Sequence, residues 1–213
     1  MAKNTKTIAI VDYGVGNLYS LKKALDAFGC KVLITEEAQK ISSADAIVLP
    51  GTGSFKAGVD GLRIRNLTQT IKDFAKQNKP VLGICLGAQL LLSKGHEFGT
   101  FDGLDIVPGQ VTKFPPLKEK IPHIGWNEIL QPTNNAWKGT ILKSVKKNSD
   151  VYFVHSYVLQ PDKKNNILAL AKYGDYTFCS AIKSGNIYGC QFHPEKSGSV
   201  GLEIINNFVR LIK

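Results

Sequence analysis

The first hundred residues switch repeatedly between short continuous apolar runs and stretches of helical spacing. Thr7–Val11 (TIAIV) is a run with no polar alternation, the mark of a strand covered on both faces. Asn17 can then cap a helix whose apolar positions Leu18, Leu21, Ala24, Leu25 and Phe28 share one face, with Gly29 as its stop. Lys31–Ile34 and Ala46–Leu49 read as the next strands, the second running into the turn-rich PGTGSFKAG. A helix is expected over roughly 60–77, with Ile64, Leu67, Ile71 and Phe74 on one side. Pro80–Cys85 (PVLGIC) reads as another buried strand, and a further helix is expected to begin around Ala88–Leu92. Such alternation predicts an α/β fold, with a mostly parallel central sheet flanked by helices.

From about residue 104 the texture changes to short β-rich pieces with Pro and Gly between them. GLDIVPGQVTKF, VYFVHSYVL, ILALAKY, FCSAIKSG and IYGCQF read as antiparallel additions to the same core. An amphipathic helix over Gly201–Ile212 ends the pattern. No linker or internal repeat interrupts it, so residues 1–213 are expected to form one domain.

Composition narrows the function classes. At 43% apolar content the chain can bury a core, which excludes disorder as its main state, and its longest apolar runs are too short to span a bilayer. The basic, then apolar, N-terminus resembles a secretory signal, but the apolar run Ile8–Val11 is too short and meets Asp12. Four cysteines without CxxC spacing indicate neither a metal site nor a disulfide framework, and a reducing cytoplasmic location is expected.

The formal charge of +10 raises the question of nucleic acid. Residues 113–172 hold 10 basic against 4 acidic side chains, whereas residues 1–112 hold 13 against 10. No finger, RNP-like motif or basic helix accompanies these scattered lysines, so they read as solvated surface and a candidate protein interface. A non-enzymatic basic binding module is the alternative of another class.

Two glycine clusters lack the residues a nucleotide loop needs. Gly14 and Gly16 precede Tyr19, where a dinucleotide fingerprint has a small residue. Gly53 and Gly58 have phosphate-loop spacing but are followed by Val59-Asp60 in place of Lys-Ser/Thr. GICLGAQ is different: Cys85 stands between Gly83 and Gly87, after a buried strand and before a helix. That is the cysteine form of a nucleophile elbow, in which the helix start favours the thiolate and the Leu86 N–H faces an oxyanion.

In QFHPE, His193 and Glu195 are two residues apart and leave one face of an extended segment, as an acid-oriented base requires. The loop Gly51-Thr52-Gly53 can present a second oxyanion donor. His155, following an apolar strand, reads as either a buried or a site-lining residue. His96 and His123 read as surface residues, and Cys30, Cys179 and Cys190 as small apolar fillers.

These motifs together resemble the class I (triad) glutamine amidotransferases. Within them, PGTGSF, PHIGWN and HPEKSG most resemble the glutaminase subunits of imidazole glycerol phosphate synthases. The resemblance runs along nearly the whole chain. It implies Cys85 as nucleophile, His193 as base and acid, Glu195 as orienting carboxylate, and Leu86 with Gly51, Thr52 and Gly53 as oxyanion hole. It further implies that Gln89, Glu97, Ser156 and Tyr157 hold L-glutamine, with no cofactor. The implied partner is a (βα)₈-barrel cyclase, bound as a heterodimer through the face carrying Asn17, Trp126, Tyr152 and Lys196. That cyclase would receive the ammonia to make imidazole glycerol phosphate and an aminoimidazole ribonucleotide in histidine biosynthesis. Paralogues that supply ammonia for surface-polysaccharide sugars share the triad and are the alternative within the same chemistry.

Overall fold

The computed structural model describes residues 5–212, so part of the basic N-terminal stretch and Lys213 lie outside the described residues. The first half contains β1 (Thr7–Val11), α1 (Leu18–Asp26), β2 (Lys31–Thr35), α2 (Ala38–Ser43), β3 (Ala46–Leu49), α3 (Phe55–Ile64), α4 (Leu67–Lys76), β4 (Val81–Ile84) and α5 (Leu86–Leu90). There follow β5 (Leu92–Gly95), β6 (Phe101–Asp102), β7 (Val107–Lys113), β8 (His123–Ile129), β9 (Ser149–His155) and β10 (Tyr157–Pro161). The chain closes with β11 (Ile167–Tyr173), β12 (Tyr176–Ser184), β13 (Ile187–Cys190) and α6 (Gly198–Val209).

The main sheet runs β2-β1-β3-β4-β13-β12-β10-β7-β5-β6, with β11 also paired to β12. Its first five strands are parallel. IYGCQF is therefore not an antiparallel addition on the parallel side: β13 runs parallel to β4 in register Ile84↔Cys190 and antiparallel to β12. This strand is a neighbour of β4 only through a crossover of about a hundred residues, which no local pattern announces.

Period-two alternation divides the core between the two faces of the sheet. Ile8 and Ile10 pack with Leu21 and Leu25 of α1, Ile204 and Phe208 of α6, and Phe153 of the β8–β9 hairpin. Ala9 and Val11 face the other way, against Ile41 of α2, Leu62 of α3 and Ile71 and Phe74 of α4. Each such fully buried large apolar side chain contributes roughly 1.5–3 kcal/mol, which is why these runs carry no polar residue.

Several element boundaries differ from expectation. The helix anticipated over 60–77 is two helices, divided at Asn66 in the left-handed conformation (φ 57°). The first starts earlier, because the Ser54 side chain caps it by accepting from Ala57 N at 3.3 Å. Ile64 ends that helix 73% exposed and is not a core position. The helix expected from Ala88 begins at Leu86 and stops after five residues, and Leu92–Gly95 pairs parallel with β7 instead. The last helix begins at Gly198 and ends at Val209, about three residues before its anticipated position. VYFVHSYVL divides at Ser156 between the separate β8–β9 sheet and the main sheet. His123 is buried, contrary to its surface reading, because Phe153 and Tyr173 stack on its ring and Phe114 and Phe178 meet it edge-on. No helix among the described residues is long and apolar enough to cross a membrane.

Candidate active site

The site collects at the carboxyl ends of β1, β3, β4 and β13, where parallel strands leave their connecting loops. Cys85 follows β4 with φ 53° and ψ −110°, a strained backbone for a residue bearing a Cβ. That twist is held from several sides. Cys85 N donates to the Cys190 carbonyl at 2.7 Å, and Gln89 N donates to the Cys85 carbonyl at 3.1 Å. A Cβ on Gly87 would lie 1.8 Å from the Leu49 carbonyl oxygen, so only glycine lets α5 seat on β3. As the first helical residue, Leu86 carries an N–H with no intrahelical acceptor.

His193 lies beyond the end of β13, and its Nδ1 bonds to Glu195 Oε1 at 2.8 Å, both side chains being buried. The pair does not form along an extended segment: Pro194–Lys196 is a single 3₁₀ turn, and this turn folds the carboxylate back onto the ring. Burial opposes the charged imidazole, but the Cys85 sulfur and the Glu195 carboxylate overcome it and hold His193 up at about 9. Its Nε2 is buried without a hydrogen-bond partner, as is Glu195 Oε2. The thiol instead lies 3.8 Å from the Val154 carbonyl.

A cleft of about 250 Å³ opens beside Cys85, itself only 7% exposed. Thr52, Gly53, Leu86, Gln89, Glu97, Ser156 and Tyr157 line it, so residues from separate segments of the chain converge there. Glu97 also accepts from Phe55 N at 2.6 Å, which ties the cleft wall to the start of α3. Gly51 lies behind this wall, in a smaller cavity shared with Asn17, His193, Glu195 and Lys196. Tyr152 N bonds Ser197 Oγ at 3.0 Å and His193 N bonds the Tyr152 carbonyl at 2.9 Å, joining the hairpin to the His-Pro-Glu turn. On the hairpin's outer face Trp126 and Tyr152 meet edge to face at 6.1 Å, with Trp126 56% exposed.

Three contributors carry no clear mark in the sequence. Tyr13, just past β1, donates its hydroxyl to the Pro50 carbonyl and so anchors the Gly51–Gly53 loop; burial and the Cys85 sulfur raise its pKa. Val154 enters through its carbonyl, which no side-chain pattern reveals. Gln191 bonds Gln89 and reaches the Cys85 sulfur from just beyond the end of β13. No group of His, Cys, Asp and Glu among the described residues is arranged to hold a metal.

The wall of the cleft rests on a histidine pair. His155 Nδ1–H donates to the Tyr157 carbonyl at 2.8 Å, so its Nε2 accepts from His123 Nδ1–H at 3.2 Å. Burial pushes His123 down to about 4 and His155 to about 3, so both rings are neutral at pH 7. Because the unfolded chain titrates near 6.5 and binds these protons first, their contribution is complete above that pH and is lost as pH falls towards the folded values. Stability should therefore drop between pH 7 and pH 4, by on the order of 3 kcal/mol for the deeply buried His155 and by less for His123. Urea melts at pH 7 and 4 check this: His123→Phe should show a shallower pH slope than wild type, and equal slopes would refute the assignment.

The family description "Glutamine amidotransferase class-I" matches residues 9–212. "Imidazole glycerol phosphate synthase subunit HisH 1" of Legionella pneumophila (strain Paris) is 46% identical over 211 residues, covering 96% of this chain and 99% of that protein. The HisH subunit of Archaeoglobus fulgidus is 46% identical over 206 residues, covering 97% and 99%. Among solved structures, PurLQS from Thermotoga maritima superposes with a TM-score of 0.72 at 17% identity, over 98% of this chain and 100% of that one. The glutaminase domain of Trypanosoma brucei CTPS gives 0.62 at 16%, over 97% and 92%. At those identities the structural likeness concerns the fold.

Proposed function

This chain belongs to the class I glutamine amidotransferases, and on that premise we propose that it is the glutaminase subunit of an imidazole glycerol phosphate synthase. The observation that carries the chemistry is the hydrogen-bonded His193–Glu195 pair beside Cys85, at the wall of a cleft lined by Gln89, Glu97, Ser156 and Tyr157. The names of relatives 39–46% identical to the chain support the pathway.

In this reading the Cys85 sulfur attacks the side-chain amide carbon of L-glutamine, its proton passing to His193 Nε2. The oxyanion forms against the Leu86 N–H and the Gly51–Gly53 loop. His193, held protonated by Glu195, delivers a proton to the departing nitrogen as the C–N bond breaks and ammonia leaves. Water, deprotonated by His193, then hydrolyses the γ-glutamyl thioester, giving glutamate and returning the thiol. Unpaired cysteines fit a reducing compartment, and we place the enzyme in the cytoplasm.

The partner is a (βα)₈-barrel cyclase that takes up the ammonia in a heterodimer. Its docking face comprises Asn17, Trp126, Tyr152 and Lys196, extended by Tyr19 (80% exposed). Exposed aromatics beside a lysine, continuous with the His-Pro-Glu turn, fit a specific protein interface. All ten basic residues of the 113–172 region are exposed, and none pairs with a carboxylate among the described residues.

The test is co-expression with a histidine-pathway barrel cyclase, followed by glutamate release from glutamine with and without the cyclase's ribulosyl phosphate ligand. Co-elution and a stimulation of about tenfold or more are expected. Hydrolysis without co-elution or stimulation would overturn the partner assignment and favour a sugar-amidating paralogue.

A further inference from the structure

Gln191 occupies a position that strand geometry places beside the nucleophile. β4 and β13 are parallel with Ile84 opposite Cys190, so the next residues, Cys85 and Gln191, stand side by side at the strand ends. The contact itself is made past the strand ends, where the turn at Cys85 (φ 53°) brings its sulfur to the Gln191 side chain. Phe192, next along the chain, is buried in the core.

The Gln191 side chain is completely buried, and its two ends are in different contacts. Its Oε1 accepts from Gln89 Nε2 at 3.2 Å, which fixes the orientation of the amide. The Nε2 is thereby turned towards Cys85 Sγ, at 3.8 Å. The sulfur thus meets an amide donor from Gln191 as well as the imidazole of His193, whose pKa it raises.

We infer that Gln191 is a further catalytic residue, whose amide N–H donates to the Cys85 sulfur and stabilises the charge it carries as nucleophile and as leaving group. This rests on the glutaminase reading above and deepens it. A primary amide suits the task because it donates at every working pH and never competes with His193 for the thiol proton. Long apo contacts of this kind shorten when charge develops on the acceptor. Gln89, which lines the cleft, would couple substrate binding to the same amide.

The competing role is structural, with Gln89 and Gln191 simply satisfying one another in the interior. The two roles separate in the pH dependence of Cys85 alkylation by iodoacetamide, followed at the Cys85 peptide by mass spectrometry in wild type, Gln191→Met and Gln191→Glu. Loss of the donor in Gln191→Met should raise the pH of half-maximal alkylation by about one unit, a tenfold loss of reactive sulfur at fixed lower pH. Gln191→Glu keeps an acceptor for Gln89 but sets an anion beside the sulfur, so its profile should move further in the same direction. Glutamine hydrolysis should lose about tenfold in kcat with KM within about twofold, the pattern of an interaction made mainly in the transition state.

An unshifted profile in folded Gln191→Met would overturn the inference, and if that variant fails to fold the titration of the wild-type amide decides. A reading independent of both variants is the ¹⁵N shift of the Gln191 side-chain amide, which should follow the Cys85 titration in wild type and stay flat in Cys85→Ser. An amide that does not respond in wild type overturns the inference equally. Hydrolysis surviving in Cys85→Ala would instead bring down the glutaminase reading itself, so the two failures are distinguishable.

Discussion

Cys85→Ala should reduce glutamine hydrolysis roughly ten-thousandfold or more while the chain still folds and still binds the proposed cyclase partner. The size of the loss follows from the role proposed for the sulfur. Without it no thioester forms, His193 has no proton to take, and only the oxyanion donors and substrate contacts remain. A companion variant separates chemistry from stability. Cys85 sits at φ 53° and ψ −110°, where a Cβ is strained, so Cys85→Gly should be equally inactive yet more stable by about 1 kcal/mol. Glutamate release and urea midpoints measure the two effects on the same samples. Activity retained in the alanine variant would end the mechanism. A glycine variant no more stable than wild type would show that the elbow stores no strain.

Gly87→Ala should be nearly as damaging by another route. The added methyl would lie 1.8 Å from the Leu49 carbonyl oxygen and 2.6 Å from its carbon, both backbone atoms of β3. Neither can rotate away, so α5 has to lift off the sheet, taking Cys85 and the Leu86 N–H with it. A loss of roughly 3 kcal/mol in stability is expected, together with about a hundredfold fall in kcat/KM from misplacing the nucleophile by an ångström or so. Gly58→Ala is the matched control on α3. Its methyl would meet side-chain methyls of Leu90 and Leu86 at 2.9–3.2 Å, which can shift, and Ala restores helix propensity. Chemical denaturation should place it within about 1 kcal/mol of wild type. Similar losses in both variants would mean that packing in general, rather than the Leu49 contact, limits this helix.

The parts of the site that can be read from the chain are those whose residues are close in sequence. Cys85 between two glycines, and His193 two residues from Glu195, are local patterns, and each stands where a strand ends. Even so, the geometry joining His193 to Glu195 differs from the one their spacing suggests: a 3₁₀ turn begun by Pro194 makes the contact, not an extended strand. Gln89 and Tyr157 become one wall only because α5 and β10 meet over the same cleft. Tyr13 and Gln191 carry a sequence signal too weak to use alone. One follows β1 in a turn motif, and the other is an ordinary polar residue at a strand end.

The hydrophobic pattern is informative wherever an element is buried along its whole length. β1, β3 and β4 are continuous apolar runs because helices cover both faces, and their limits are legible to within a residue or so. α2, β5 and β6 escape because they are short and half-exposed, with too few buried positions to set a period. His123 departs from its surface reading for a similar reason, since its burial depends on Phe153 and Tyr173, from other strands, stacking on its ring.

The sequence by itself determined the alternation of strands and helices and which side chains are candidates for the chemistry, because backbone preference and side-chain chemistry act over a few residues. Only the tertiary structure decided that β13 lies parallel to β4, and with that which residue stands beside the nucleophile. Pairing between strands about a hundred residues apart depends on the burial of the whole sheet, and no local spacing records it.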